Sequence, residues 1–173
     1  DLSSDAAAKL NGMEFSGLTD LAMRVQRRDA GAPLSWSARF RVDRGRFRHP
    51  SLPETLTDVS ITGEADPTRL SVNQIEAKWG PATMRLAVNR AGWTANAPLA
   101  VKAKVDGFYL TEKLASVLPE SKARMWQRFR PIGAVDAEIQ LTFDGTDWKP
   151  VAKATCRGIS LTDREKFPYP LEQ

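Results

Sequence analysis

The sequence contains a single cysteine and a single histidine, so the side chains that most often hold transition metals or form cross-links are nearly absent. Cys156 has no partner for an internal disulfide, and His49 has neither a cysteine nor a second histidine with which to form a zinc site. We therefore predict no metal, and nothing in the sequence indicates a cofactor. Cys156 is expected on a buried strand face, as a small hydrophobic residue.

The motifs of common enzyme classes are also missing. The chain has no Walker phosphate loop, no Gly-x-Gly-x-x-Gly turn and no Gly-x-Ser-x-Gly nucleophile elbow. Carboxylates are plentiful, but nothing singles out two of them as a glycosidase pair. The sequence therefore predicts a protein that is not an enzyme and has no catalytic residues.

Charge of one sign is in small excess only, with 25 basic and 21 acidic residues and a net charge of +4. Five arginines recur along one predicted strand, and they are Arg39, Arg41, Arg44, Arg46 and Arg48. They fit a solvated outer face better than a nucleic-acid surface, because no aromatic RNA-binding motif accompanies them. Anionic headgroups are another possible target. We predict no nucleic-acid partner.

No run of about 18 apolar residues is present, and the chain opens at Asp1 without a signal segment. Its last residues, Pro168 to Gln173, are typical of a connection into a further strand. The expectation is that the chain is a fragment whose membrane anchor lies outside it.

What the sequence does contain is alternation of apolar and polar residues. Trp36, Ala38, Phe40 and Val42 fall on one face of a predicted strand, because successive strand side chains point to opposite faces. The same period recurs in Leu21–Val25, Val59–Ile61, Leu70–Trp79, Met84–Val88, Leu99–Val105 and Val135–Phe143. Turn residues separate these runs, which favours a twisted, curled antiparallel sheet. Between Val72 and Ile75 the apolar parity slips, which predicts a bulge near Asn73 and Gln74.

One segment has helical spacing instead. Between Thr111 and Arg130 the apolar residues recur every three or four positions, which indicates a minor helical segment. A break near Leu118 predicts two short helices, and Pro131 ends the segment.

Two stretches of the chain resemble each other. Gly17–Val25 and Gly133–Leu141 share glycine, aspartate and apolar parity at an offset of 116 residues, and weaker matches extend on both sides. A repeated unit is predicted, because such recurrence is typical of arrays. The predicted divisions are residues 1–16 as the tail of a preceding repeat, with Ser4–Leu10 ending a helix, residues 17–132 as one full repeat, and residues 133–173 as the opening of the next.

The stretches Arg44–Val59, Phe167–Leu171 and Leu118–Gly133 resemble the repeats of large AsmA-like proteins of the bacterial envelope. That resemblance implies a membrane-anchored protein of the periplasm, attached to the inner membrane outside this fragment. It further implies a long curled sheet whose concave apolar face carries lipid between membranes or serves outer-membrane biogenesis. Lipid is then the expected partner.

Parity selects the residues expected to line such a groove. They are Trp36, Phe40, Met84, Leu86, Leu99, Val101, Ile139 and Leu141. Parity alone also allows an ordinary closed core, with the helix packed on the sheet. The alternative function is a structural or adhesive repeat that binds protein or glycan at the cell surface.

Overall fold

The computed structural model describes residues 12–27, 29, 31–32, 34–50, 52–115, 118, 120–163 and 167–171. The predicted helix end at Ser4–Leu10 lies outside them. The strands are β1 Glu14–Gln26, β2 Ser35–Arg48, β3 Leu56–Ala65, β4 Arg69–Trp79, β5 Ala82–Ala91, β6 Leu99–Leu110, β7 Ile132–Phe143, β8 Trp148–Asp163 and β9 Phe167–Leu171. The helices are α1 Glu112–Ala115 and α2 Glu120–Phe129.

Each strand pairs antiparallel with the next one in the chain, so the spatial order of the strands is their sequence order. The sheet is open and curled. Strand β9 pairs only with the C-terminal end of β8. The predicted mainly β fold with one minor helical segment is confirmed. Short connections between amphipathic strands produce this order, because a tight turn can only return the chain beside the strand it has just left.

Aspartate side chains close two of the turns. Asp66 Oδ1 accepts hydrogen bonds from the backbone N–H groups of Thr68 and Arg69, at 2.7 and 3.0 Å, and from the Thr68 hydroxyl. Asp144 Oδ1 accepts two similar bonds from residues 146 and 147. These are Asx turns, in which a carboxylate satisfies backbone donors that a tight bend leaves without partners.

The predicted bulge in β4 is confirmed. Val72 lies opposite Val88 and Ile75 lies opposite Leu86, so β4 has one residue more than β5 between these two pairs. The extra residue returns Ile75 to the face that Val72 occupies. The parity slip in the sequence therefore has a local cause, and the apolar face continues across it.

The two similar stretches occupy corresponding places in two hairpins. Gly17 in β1 and Gly133 in β7 each sit at an interruption of the pairing with the next strand. A Cβ at Gly17 would lie 2.9 Å from Val42, and one at Gly133 would lie 2.7 Å from the carbonyl of Gly158. Neither place has room for a Cβ, because the Val42 side chain lies against Gly17 and the backbone of the next strand lies against Gly133. The division of the chain into repeats stays a prediction.

The pairing register differs by two residues between the two hairpins. At the offset of 116 residues found in the sequence, β8 is shifted by two residues along β7 compared with β2 along β1. Asp20 lies opposite Arg41, whereas Asp136 lies opposite Thr155 and is reached diagonally by Arg157. Eight residues, 27–34, connect β1 to β2, but only four, 144–147, connect β7 to β8. A shift by two residues keeps every side chain on its face, because the strand period is two.

The helical segment replaces a tight turn between β6 and β7. Helix α2 lies beside β8, and Leu118 forms a bend between the two helices. Trp126 borders a groove of about 430 Å³ together with Leu110 and Ile132. The helices therefore stand at one end of the strands and do not form a second layer over the sheet.

The buried hydrophobic residues that the structure describes are small, and all but one of them lie in the sheet. Among the described residues the buried hydrophobic ones are Val42, Val59, Val72, Ala77, Ala82 and Ala97. No large side chain in that part of the chain is fully buried. The described elements thus form a single layer, in contrast to the two packed layers of an ordinary globular domain.

Candidate functional site

The pairing register defines two faces of the sheet. Residues directly opposite one another on neighbouring strands share a face. One cross-strand row consists of Leu21, Phe40, Gly63, Val72, Val88, Val101, Leu141 and Pro150. The next row along the strands consists of Thr19, Val42, Ile61, Ile75, Leu86, Ala103, Ile139 and Ala152. We call this surface the apolar face; it extends across eight strands, roughly 34 Å at about 4.8 Å per strand.

All eight residues predicted to line a groove lie on the apolar face. Six of them form a contiguous patch on the three adjacent strands β5, β6 and β7, and they are Met84, Leu86, Leu99, Val101, Ile139 and Leu141. The other two, Trp36 and Phe40, lie on β2 and are separated from that patch by β3 and β4. Phe40 belongs to the same row as Val101 and Leu141.

The apolar face is only partly shielded from solvent. Val42 and Val72 are buried, whereas Ile139 is 40% exposed and Leu21, on the edge strand β1, is 66% exposed. No described element packs across this face, since beyond neighbouring strands only the α1–α2 and α2–β8 pairs make substantial contact. The prediction that Cys156 is buried was wrong. It shares the apolar face with Val135 but is exposed, because nothing described covers β8 there.

Phe40 fills a gap that a glycine leaves. A Cβ built on Gly63 would lie 2.5 Å from Phe40 Cζ, so the ring lies directly on the neighbouring backbone. Gly63 is thus the reason that an aromatic side chain fits on the apolar face at this point, where a larger residue would push the ring away.

Aromatic residues stand at the end of the apolar face where the short hairpins turn. Trp93, in the connection after β5, has its ring centre 6.0 Å from that of Trp36, and its Nε1 donates to the Asp66 carbonyl at 2.8 Å. Phe143 and Trp148 form a similar pair, 5.1 Å apart, across the β7–β8 turn. We call this end, marked by the two aromatic pairs, the aromatic rim.

A charged residue, Arg90, also lies on the apolar face beside this rim. It continues the series Met84, Leu86 and Val88 on β5, and it pairs with Leu70 on one side and Leu99 on the other. Its Nη2 donates to the Thr94 carbonyl at 2.7 Å, while its Nε is buried without a hydrogen-bond partner. Sequence reasoning missed this residue, although the alternation of β5 places it among the apolar residues.

The opposite face carries paired charges. Arg85 Nη1 lies 3.0 Å from Asp106 and Lys104 Nζ lies 3.6 Å from Glu138. A cavity of about 650 Å³ lies beside these charges. Its polar lining residues are Asn73, Gln74, Glu76, Arg85, Lys102, Lys104, Glu138, Gln140 and Lys153, and its apolar ones are Leu86, Ala87, Ala103, Ile139 and Val151. Neighbouring carboxylates neutralise several of these cations and the cavity is open to solvent, so its charges offer little net attraction for a ligand.

Hydrogen bonds shift the pKa of several groups on the polar side. The Gly107 N–H donates to Asp136 at 2.8 Å, and together with the Arg157 guanidinium it lowers the pKa of that carboxyl. The pKa of Asp66 is lowered by its bonds from Thr68. These shifts belong to bulge and turn geometry, since the partners are the hydroxyl and backbone N–H of Thr68 in a turn, the backbone N–H of Gly107 on the neighbouring strand, and the nearby Arg157 cation.

The arginine series of β2 has no single face. Arg39 and Arg41 lie opposite Glu64 and Thr62 on the polar side, and Arg41 Nε forms an ion pair with Asp43 at 2.7 Å. Arg44 interrupts the series because it sits in a bulge with a left-handed φ of 53°. All five arginines are exposed.

Within the described ranges, no group of three His, Cys, Asp or Glu side chains is arranged to hold a metal ion. The helices described there are too short and too polar to cross a membrane. Comparison with protein-family models, with curated proteins and with solved structures returns no match for this chain.

Proposed function

We propose that this chain is a non-enzymatic segment of a larger envelope protein whose apolar face holds the acyl chains of lipids during their transport or during envelope assembly. In this proposal it lies in the periplasm of a bacterium and is attached to the inner membrane through segments outside this chain. The observation that carries the proposal is the uncovered apolar face, which reaches across eight strands.

Burial of lipid would shield apolar surface on both partners. Each methylene that is fully buried contributes about 0.8 kcal/mol, so ten methylenes would contribute at most about 8 kcal/mol, before the losses of entropy on binding. The strands are long enough for such a chain, since the 12 residues of β6 span about 40 Å. A closed core would favour the structural or adhesive alternative, and none of the described large side chains is fully buried.

Leu86 offers the sharpest test, because it lies in the contiguous patch on β5 between Ile75 and Ala103. Native mass spectrometry of the chain expressed in bacteria is expected to show co-purified lipid. Leu86→Asp is expected to abolish that lipid, since a carboxylate would stand in the middle of the apolar row.

The matched control is Ala87→Asp, which places the same charge one residue further along, on the polar face opposite Lys102. This variant is expected to retain lipid. Protein that emerges free of lipid from a lipid-rich host, or equal loss of lipid in both variants, would count against the proposal.

A further inference from the structure

The apolar face carries a cation, Arg90, that no described carboxylate neutralises. Arg90 forms no ion pair with any residue the structure describes, and two leucines flank it in its row. Among the described residues its guanidinium has a single hydrogen-bond partner, the Thr94 carbonyl, while the buried Nε has none. An arginine in such surroundings loses hydration without receiving a full set of acceptors, which favours an anion from outside the chain.

Arg90 lies where the headgroup of an amphiphile would lie if its acyl chain followed the apolar face. It stands at the aromatic rim, and the rows of Val88 and Leu86 continue from it along the apolar face. Trp93 follows it in the connection to β6, with an exposed ring whose Nε1 is held by the Asp66 carbonyl. Tryptophan at the border between apolar and wet surroundings is typical of sites that meet lipid headgroups.

From this geometry we infer that Arg90 binds the anionic headgroup of an amphiphile whose acyl chain lies along the row of Leu86 and Val88. A phosphate and a carboxylate share the required chemistry, because either can accept paired hydrogen bonds from a guanidinium. The inference rests on the proposed function, since it assumes that the apolar face receives acyl chains.

Three probes with the same ten-carbon chain distinguish headgroup binding by Arg90 from acyl-chain binding by the apolar face. They are decanol, decanoate and decyl phosphate. Titration calorimetry on the delipidated chain measures the affinity of each. Wild-type protein is expected to bind at least one anion about tenfold more tightly than decanol, and the ratio of decyl phosphate to decanoate affinity distinguishes a phosphate from a carboxylate headgroup. Arg90→Gln is expected to remove this preference while decanol binds as before.

The control is Arg39→Gln, which removes a cation from the polar face. It is expected to keep the full preference for the anions. Arg90→Lys, which keeps the charge but loses the planar fork, is expected to keep only part of it. The wild-type comparison requires no variant, so it holds even if Arg90→Gln does not fold.

The outcomes separate the two proposals. Equal affinities of wild-type protein for the alcohol and the anions, or an anion preference that survives in Arg90→Gln, overturn the role of Arg90 and leave the proposed function standing. If none of the three probes binds wild-type protein, both the role of Arg90 and the proposed function fail.

Discussion

The contact between Phe40 and Gly63 makes a quantitative prediction about the apolar face. Alanine at position 63 would place its Cβ 2.5 Å from Phe40 Cζ and 2.9 Å from the Ser71 carbonyl oxygen. The ring can rotate away, but the carbonyl belongs to the β3–β4 ladder, so moving it would disturb the backbone pairing of these strands. Overpacking of this kind typically costs about 1–3 kcal/mol.

A gain in the unfolded state offsets part of that cost. Alanine restricts the unfolded chain more than glycine does, which stabilises a protein by about 0.4–1 kcal/mol where the backbone tolerates it. Gly63 has no left-handed φ, so the backbone tolerates alanine. We therefore expect Gly63→Ala to lower the free energy of unfolding by about 1–2 kcal/mol.

Urea unfolding, followed by circular dichroism, measures this difference. With a slope of about 2 kcal/mol per molar urea, the midpoint is expected to fall by roughly 0.5–1 M. Gly31→Ala is the control, because nothing lies within 4 Å of its added Cβ, and it should leave the midpoint unchanged or raise it slightly. In a Phe40→Leu background the cost of Gly63→Ala should shrink by at least about 0.5 kcal/mol.

Two results would refute the reasoning. One is a Gly63→Ala protein as stable as Gly31→Ala, which would mean that the ring does not lie on Gly63. The other is an equal cost of Gly63→Ala with phenylalanine or leucine at position 40, which would place the strain in the backbone alone.

Two further predictions concern turn and bulge geometry. Because hydrogen bonds from Thr68 lower the pKa of Asp66, this carboxylate stabilises the fold above its unfolded pKa of about 3.9, and its contribution disappears as the pH falls through the lower folded value. The difference in urea midpoint between wild type and Asp66→Asn should thus be constant from pH 7 to 5 and shrink below pH 4, and a constant difference down to pH 3 would contradict this. Gly107 has a φ of +69° and open space around its added Cβ, so Gly107→Val should cost about 1–2 kcal/mol through backbone conformation alone. Gly107→Asn should cost less in the same urea assay, because asparagine tolerates this conformation, and equal costs would argue against it.

Much of the sheet could be predicted from local patterns. The runs around Trp36, Met84 and Leu99 became strands because their period of two suits a ladder with one apolar face. The bulge after Val72 could be located because a parity slip inside a single strand has few other causes. Chain-order pairing followed from short turns, which leave an antiparallel neighbour as the nearest partner.

The sequence by itself determined which side chains share a face, because alternation is a property of each strand alone. Tertiary structure alone decided what lies above that face: the same parity suits a closed core, yet the described strands form one layer, and Cys156 is exposed in consequence. It also decided where Arg90 stands, since its two leucine neighbours and its unsatisfied Nε come from strand register and a folded connection. Burial and charge pairing depend on residues distant in the chain, and a local pattern carries no information about them.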